Sequence, residues 1–279
     1  MGQASTSREH VTVIEPQSGW RAVNWSELWE YRELLWSMTT RDIKVRYKQT
    51  VLGAGWAIVR PLLTMILFTV IFGKFAKMPS DGFPYPIFVY AALLPWTFFA
   101  GAVSASALSL VGSAPMLSKV YFPRLIIPLA SVGGALVDFL VSAGFLLLMM
   151  VWYGVGWSSQ LLMAVPLLVL LVAIGAGVGT LLSAITVTYR DFSHITPFLV
   201  QLWMYATPVV FPLSVVPERW RRLLYLNPMT GIVEGFRSAL LGKPFDLVAL
   251  ASSVAWAVVL LIAALAYFER VERRFADII

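Results

Sequence analysis

The sequence predicts an all-α integral membrane protein with six transmembrane helices and an N-terminal interfacial helix. Three observations predict it. Of 279 residues, 59% are hydrophobic and 13% charged, with a mean hydropathy of +0.77; soluble domains carry about a quarter charged residues. Six nearly charge-free stretches are each close to the length of about 20 residues that a helix needs to cross a hydrocarbon core. Lysine and arginine concentrate in the segments that would share one side of the membrane, as the positive-inside rule demands.

The stretches lie at 57–73, 86–111, 125–152, 161–187, 195–212 and 247–268. The fifth is the shortest and is interrupted by Pro197 and Pro208. With both ends cytoplasmic, fourteen of the 21 basic residues fall inside, eight of them before Pro61, and seven outside. Five of the outer seven sit in the long segment 213–246, which is unusually basic. The first fifty residues are polar to amphipathic, so the N-terminus is expected to stay in the cytoplasm. The chain divides into a tail (1–23), an amphipathic interface helix (24–50) and one membrane domain (51–279).

Composition excludes several chemistries. There is no cysteine, hence no disulfide, thiolate ligand or thiol nucleophile. The two histidines, His10 and His194, are far apart. Phosphate-loop, hydrolase-elbow, zincin and kinase signatures are absent. If ATP drives this protein, another chain binds it. The net charge of +6 reflects cytoplasmic basic residues rather than nucleic-acid binding.

Several segments stand out. In 24–48, Asn24 can cap a helix with Glu27 reaching back to it. Trp25, Leu28, Trp29, Leu35 and Trp36 recur at helical spacing on one face, which predicts a helix lying flat at the headgroup boundary. Between the second and third stretches, Ser113 to Arg124 is too apolar for a free loop. Pro115 and Pro123 bracket about two turns of helix, and Met116, Leu117, Val120, Tyr121 and Phe122 suit a protein partner or the lipid surface as well as an ordinary turn. Tyr189-Arg190-Asp191 reads as an anchor for a span end. In 213–246, Asn227-Pro228 starts a helix and Gly242 can end it. Its apolar face suits either a dip back into the membrane beside a cavity or gate, or a surface-lying helix. Asp138 is the one acid deep within a span; it must face protein or water, and a structural hydrogen bond is its expected fate. Among the aromatics, Trp96, Phe98, Phe99, Trp203, Tyr205 and Phe211 serve packing or line a sugar path.

Taken together, Arg41 to Gly53 with Trp56 and Pro61-Leu62, then Lys119-Val-Tyr-Phe-Pro-Arg124, Tyr189-Arg190-Asp191, Pro208, and Leu226-Asn227-Pro228 through Glu234 and Arg237 resemble the ABC-2 type permeases that export O-antigen, capsule and teichoic-acid polysaccharides. The likeness runs from about Trp25 to the end. It implies a type V exporter-like fold with a cytoplasmic coupling helix (Ser113, Pro115, Lys119, Tyr121, Phe122, Pro123 and Arg124, with Arg41 and Asp42 alongside) and re-entrant gate helices over Pro217–Leu241 (Asn227, Pro228, Glu234 and Arg237). It implies a homodimer with two copies of an ABC ATPase that holds ATP and magnesium, in the bacterial inner membrane, moving a lipid-linked polysaccharide, with O-antigen foremost. On that reading Arg46, Lys48 and Arg60 meet the lipid diphosphate, and Trp96, Phe99, Trp203 and Tyr205 line the sugar path. Two rivals remain: an exporter of a small hydrophobic molecule on the same fold, and a membrane enzyme acting on lipid-linked sugars.

Overall fold

The computed structural model describes residues 25–117 and 119–272. The proposed Asn24 cap, the 1–23 tail and the basic residues Arg273 and Arg274 lie outside them. The described residues form helices and connecting loops, with no strand among them. In order these are α1 (Trp25–Glu30), α2 (Arg32–Tyr47), α3 (Trp56–Phe68), α4 (Tyr85–Gly112), α5 (Ala114–Leu117), α6 (Ile126–Trp152), α7 (Ala164–Thr188), α8 (Phe192–Tyr205), α9 (Glu218–Leu224), α10 (Pro228–Leu241) and α11 (Leu247–Glu272). A one-turn 3₁₀ lead-in precedes α3, and a wider π-helical stretch, Thr69–Phe75, extends it.

Five helical units are long and apolar enough to cross a membrane: Gly53–Phe75, Tyr85–Gly112, Ile126–Trp152, Ser159–Thr188 and Leu247–Glu272. The predicted span 195–212 takes a different form. Its helix, α8, has 14 residues, about 21 Å at 1.5 Å per residue, short of a hydrocarbon core of about 30 Å. The remainder, 206–212, is non-helical. The segment nonetheless runs the length of the bundle. Val187, at the end of α7, packs with Met38, Phe122 and Phe268 at the end of the bundle where α2 and the α11 C-terminus meet. Val210 accepts a 2.7 Å hydrogen bond from the Tyr85 hydroxyl at the opposite, far end. Pro197 is accommodated within α8. Pro208 falls where the helix has stopped, since a proline disfavours helical backbone at the residue before it.

The core is built around α4, which packs on α6, α7, α3, α8 and α10. It is apolar on all sides, the pattern of a helix enclosed by others, and 78% of its most apolar stretch is buried. Small residues allow the close approaches that membrane helices favour. A Cβ on Gly179 would come within 2.8 Å of Ser106 in α4, and one on Gly231 within 2.2 Å of the Ala249 carbonyl in α11.

The N-terminal helix differs from expectation in two ways. It breaks at Tyr31 into α1 and α2, and it does not lie flat along its length. Met38 packs among Ile126 and Ile127 at the start of α6, whereas Arg46 and Tyr47 bond to Asp138 near the α6 midpoint. The second half of α2 therefore climbs along α6. The aromatic stripe also divides: Leu28 and Leu35 pack under the bundle, while Trp29 and Trp36 stay more than two-thirds exposed.

Candidate functional site

Polar and exposed residues gather at three levels of the bundle. At the terminal end, α5 is a single turn, Ala114–Leu117, shorter than the two turns expected between Pro115 and Pro123. Pro115 lies inside that turn, and the chain is irregular from Val120 to Pro123. Its residues divide between anchoring and display. Phe122 is buried against Leu110, Ile126 and Phe268, and Arg124 donates to the Glu272 carbonyl at 2.7 Å. Val120 and Tyr121 are exposed, as is Lys119. Arg41 and Asp42 form an ion pair at 3.0 Å. With Ser113 and Pro115 they line a cavity of about 600 Å³ between α2, α4, α5 and α6, so the two predicted coupling segments meet in one groove. Tyr189 is exposed in the turn between α7 and α8, and Asp191 opens α8 without a side-chain cap.

At mid-height, Asp138 accepts hydrogen bonds from the Arg46 guanidinium and the Tyr47 hydroxyl. Arg46 is thereby committed to an internal carboxylate. Lys48 and Arg60 stay exposed, with Arg60 stacked over Trp56 at 5.9 Å.

At the far end, α10 holds the non-helical part of the fifth predicted crossing. Its start follows the sequence reading: the Asn227 side chain accepts from the Met229 amide at 3.0 Å, and Gly242 closes the helix at φ 71°. Asn227 does more than cap. Its oxygen also accepts from the Trp203 indole at 2.9 Å, and its nitrogen donates to the Ala206 carbonyl at 3.1 Å and the Thr207 hydroxyl at 2.9 Å. Ten residues on, Arg237 is fully buried. It donates to the carbonyls of Pro208 (2.7 Å), Val209 (2.5 Å), Phe211 (3.2 Å) and Phe88 (3.3 Å), and pairs with Glu234 at 2.7 Å. Its guanidinium also lies 3.8 Å over the Phe88 ring. Carbonyls freed by the broken helix would otherwise be unpaired away from water; the planar five-donor guanidinium suits them. Lys243 bonds to Asp81, which also accepts from Ser214 at 2.6 Å, joining the loops that flank α4 and α10.

The aromatics separate by depth. Trp96 and Phe99 are buried; Trp96 meets Phe99 in a tilted contact at 5.5 Å and Phe99 meets Trp203 edge-to-face at 5.0 Å. Trp203 is half-buried and Tyr205 exposed. Among the described residues, no three histidines or carboxylates gather as a metal site. The sequence points to Glu234, Arg237 and Asn227 but not to the carbonyls that Arg237 and Asn227 serve; the signal was Pro208, which announces a helix break requiring donors.

Residues 33–241 match the family of ABC-2 type transporters. Over 255 residues, 90% of this chain and 97% of the relative, the sequence is 33% identical to the O-antigen export system permease protein RfbA of Myxococcus xanthus. It is 26% identical to a protein of the same name from Klebsiella pneumoniae over 88% of this chain and 95% of that protein. It is 24% identical to the polysialic acid transport protein KpsM of Escherichia coli over 72% of this chain and 78% of that protein.

Proposed function

We propose, from the premise that this chain belongs to the ABC-2 type transporter family, that it is the permease subunit of an exporter of lipid-linked polysaccharide, with O-antigen the first candidate. The observation that carries this reading is the near end-to-end likeness to O-antigen export permeases. The chain itself is a transport permease, not an enzyme. A separate ATPase subunit supplies the energy and holds ATP and magnesium, since no nucleotide motif occurs in this sequence.

Each level of the bundle has a task. The ATPase docks at the terminal end, which lies in the cytoplasm. There Lys119, Val120 and Tyr121 are displayed while Phe122 and Arg124 root the segment in the bundle. Movement of α5 passes across the shared groove to Arg41 and Asp42 on α2. Lys48 and Arg60, left free by the engagement of Arg46 with Asp138, meet the lipid diphosphate; guanidinium suits phosphate geometry. Two copies of the chain enclose the path. The exposed apolar faces of α3 and α8 are available for lipid or for the second copy, and Trp203 and Tyr205 face the glycan, with Trp96 and Phe99 packed behind. The far-end carbonyl clamp around Arg237 forms the outer gate.

The test is direct, because the sequence has no cysteine. Val120→Cys in native bacterial membranes should cross-link to a soluble ATPase. Cells lacking the chain should accumulate finished polymer inside. Capture of no ATPase, together with undisturbed polymer export, would overturn the reading; accumulation of a small hydrophobic compound instead would favour the rival exporter.

A further inference from the structure

The Arg46–Tyr47–Asp138 station has a role that neither cargo binding nor ATPase docking covers. Asp138 is the only charged residue in α6 and lies about 18 Å from its start, at 1.5 Å per residue. A carboxylate at such depth persists only with partners, and both come from the last two residues of α2. The surrounding contact is built for closeness. The Thr39 hydroxyl donates to the Ala130 carbonyl at 3.4 Å. A Cβ on Gly133 would fall 2.9 Å from that hydroxyl, and one on Gly134 would fall 3.5 Å from the Arg46 guanidinium. Beyond the turn, the Ser142 hydroxyl donates to the Ala57 carbonyl at 2.7 Å, which ties the start of α3 to the same helix. One flank of α2 faces the groove with Ser113 and Pro115, and its far end is bonded to Asp138.

We propose that Asp138 is a positioning residue: through Arg46 and Tyr47 it latches the end of α2 to the middle of α6, so that displacement of α5 and α2 moves α6 at its midpoint. The inference rests on the exporter reading above. Without the latch, α2 is held to α6 by the Thr39 contact and packing, and motion begun at α5 dissipates in the 48–55 elbow. Asp138 touches no cargo in this role, and Arg46 serves it by its charge.

The experiment uses the whole transporter, chain and ATPase, in membrane vesicles loaded with lipid-linked glycan. Asp138→Asn should leave ATP hydrolysis near its original rate and lower glycan exported per ATP by about fivefold, the upper range for loss of a partly exposed ion pair. The exchange Arg46→Asp with Asp138→Arg should restore most of the ratio. A second rescue bypasses the charge: Thr39→Cys with Gly133→Cys, whose Cβ atoms would stand 3.6 Å apart, lies within disulfide reach. Oxidation should restore export to Asp138→Asn, and reduction should remove it. An unchanged ratio in Asp138→Asn, a matched fall in hydrolysis and export, or failure of both rescues would overturn the latch. If the unaltered transporter moves no glycan, the exporter reading fails on its own. The latch is then decided by the Thr39–Gly133 cross-linking rate, which should fall about fivefold in Asp138→Asn and recover in the exchange; an unchanged rate overturns it.

Discussion

Arg237 and Arg46 are both arginines facing an acid within the bundle, yet they are held in opposite ways. Arg237 is fully buried, with Glu234 and four backbone carbonyls as partners. Arg46 is about one-third exposed and bonds to a single carboxylate shared with Tyr47. A saturated guanidinium in low dielectric has no alternative partners and fixes the backbone around it. A guanidinium at an exposed edge with one partner can be released and recaptured at small cost. The far end therefore reads as a rigid clamp on an unwound segment, and mid-height as a releasable joint.

Substitution at the two positions tests that contrast, and the clamp should show the largest effect. Arg237→Met strands the carbonyls of Pro208, Val209 and Phe211 and leaves Glu234 buried, which should destabilise the protein by about 3–5 kcal/mol. Arg237→Lys should recover little, because one ammonium cannot span the carbonyls that the planar fork reaches. Arg46→Lys, by contrast, should change stability by about 1 kcal/mol or less, the range of partly exposed pairs. Unfolding in mild detergent, followed by tryptophan fluorescence, measures all three. Equal losses for Arg237→Lys and Arg46→Lys would erase the distinction.

What separates the two stations also marks what sequence reasoning could see. The spans were legible because apolar length is a local property, and so were the ends of α10, where Asn227 and Gly242 carry their own geometry. Asp138 was visible as an acid in a span but not its partners, which lie 91 and 92 residues earlier. Pairing across that distance depends on α2 climbing along α6, and nothing in a tryptophan stripe distinguishes a climbing helix from a flat one. Trp96 and Phe99 carried no mark of depth either: α4 is apolar on every side, so its periodicity does not say which residues face a path. Of the two-turn helix expected between Pro115 and Pro123, the described residues form one turn, Ala114–Leu117, and Phe122 beyond it packs into the core.

Smaller effects sharpen the picture of the clamp. Gly231→Ala drives a Cβ to 2.2 Å from the Ala249 carbonyl, so α10 must move off α11. The cost should be about 1–3 kcal/mol, as for other overpacked contacts. Gly112→Ala, where a Cβ meets nothing within 4 Å, is the matched control and should be neutral or slightly stabilising. Asn227→Ala removes a cap worth about 0.5–2 kcal/mol. Because it also releases Trp203 and Ala206, its loss should lie at the upper end, with altered Trp203 fluorescence. Asn227→Asp preserves the cap and the acceptor for Trp203 but not the amide donor, so a full rescue would show that the bonds to Ala206 and Thr207 matter little.

The smallest effect belongs to the Asp81–Lys243 tie between the far-end loops. Burial acts to raise the Asp81 carboxyl, but the bonds from Lys243 and Ser214 outweigh it and hold the group below the usual carboxylate value. A depressed folded-state pKa contributes stability above the unfolded value of about 3.9 and loses it as pH falls through the folded one. The tie should therefore be intact at pH 7 and vanish only below about pH 4, with a contribution of about 0.2–1 kcal/mol. Asp81→Asn should lower the melting temperature at pH 7, and the difference should shrink steadily as pH falls below about 4. High salt should narrow the difference at pH 7, because a partly exposed pair is screened. If the difference persisted at low pH, Asp81 would be acting through its packing in the loop rather than its charge, since an asparagine oxygen still accepts from Ser214. The clamp would then depend on loop geometry rather than on an ion pair at its rim.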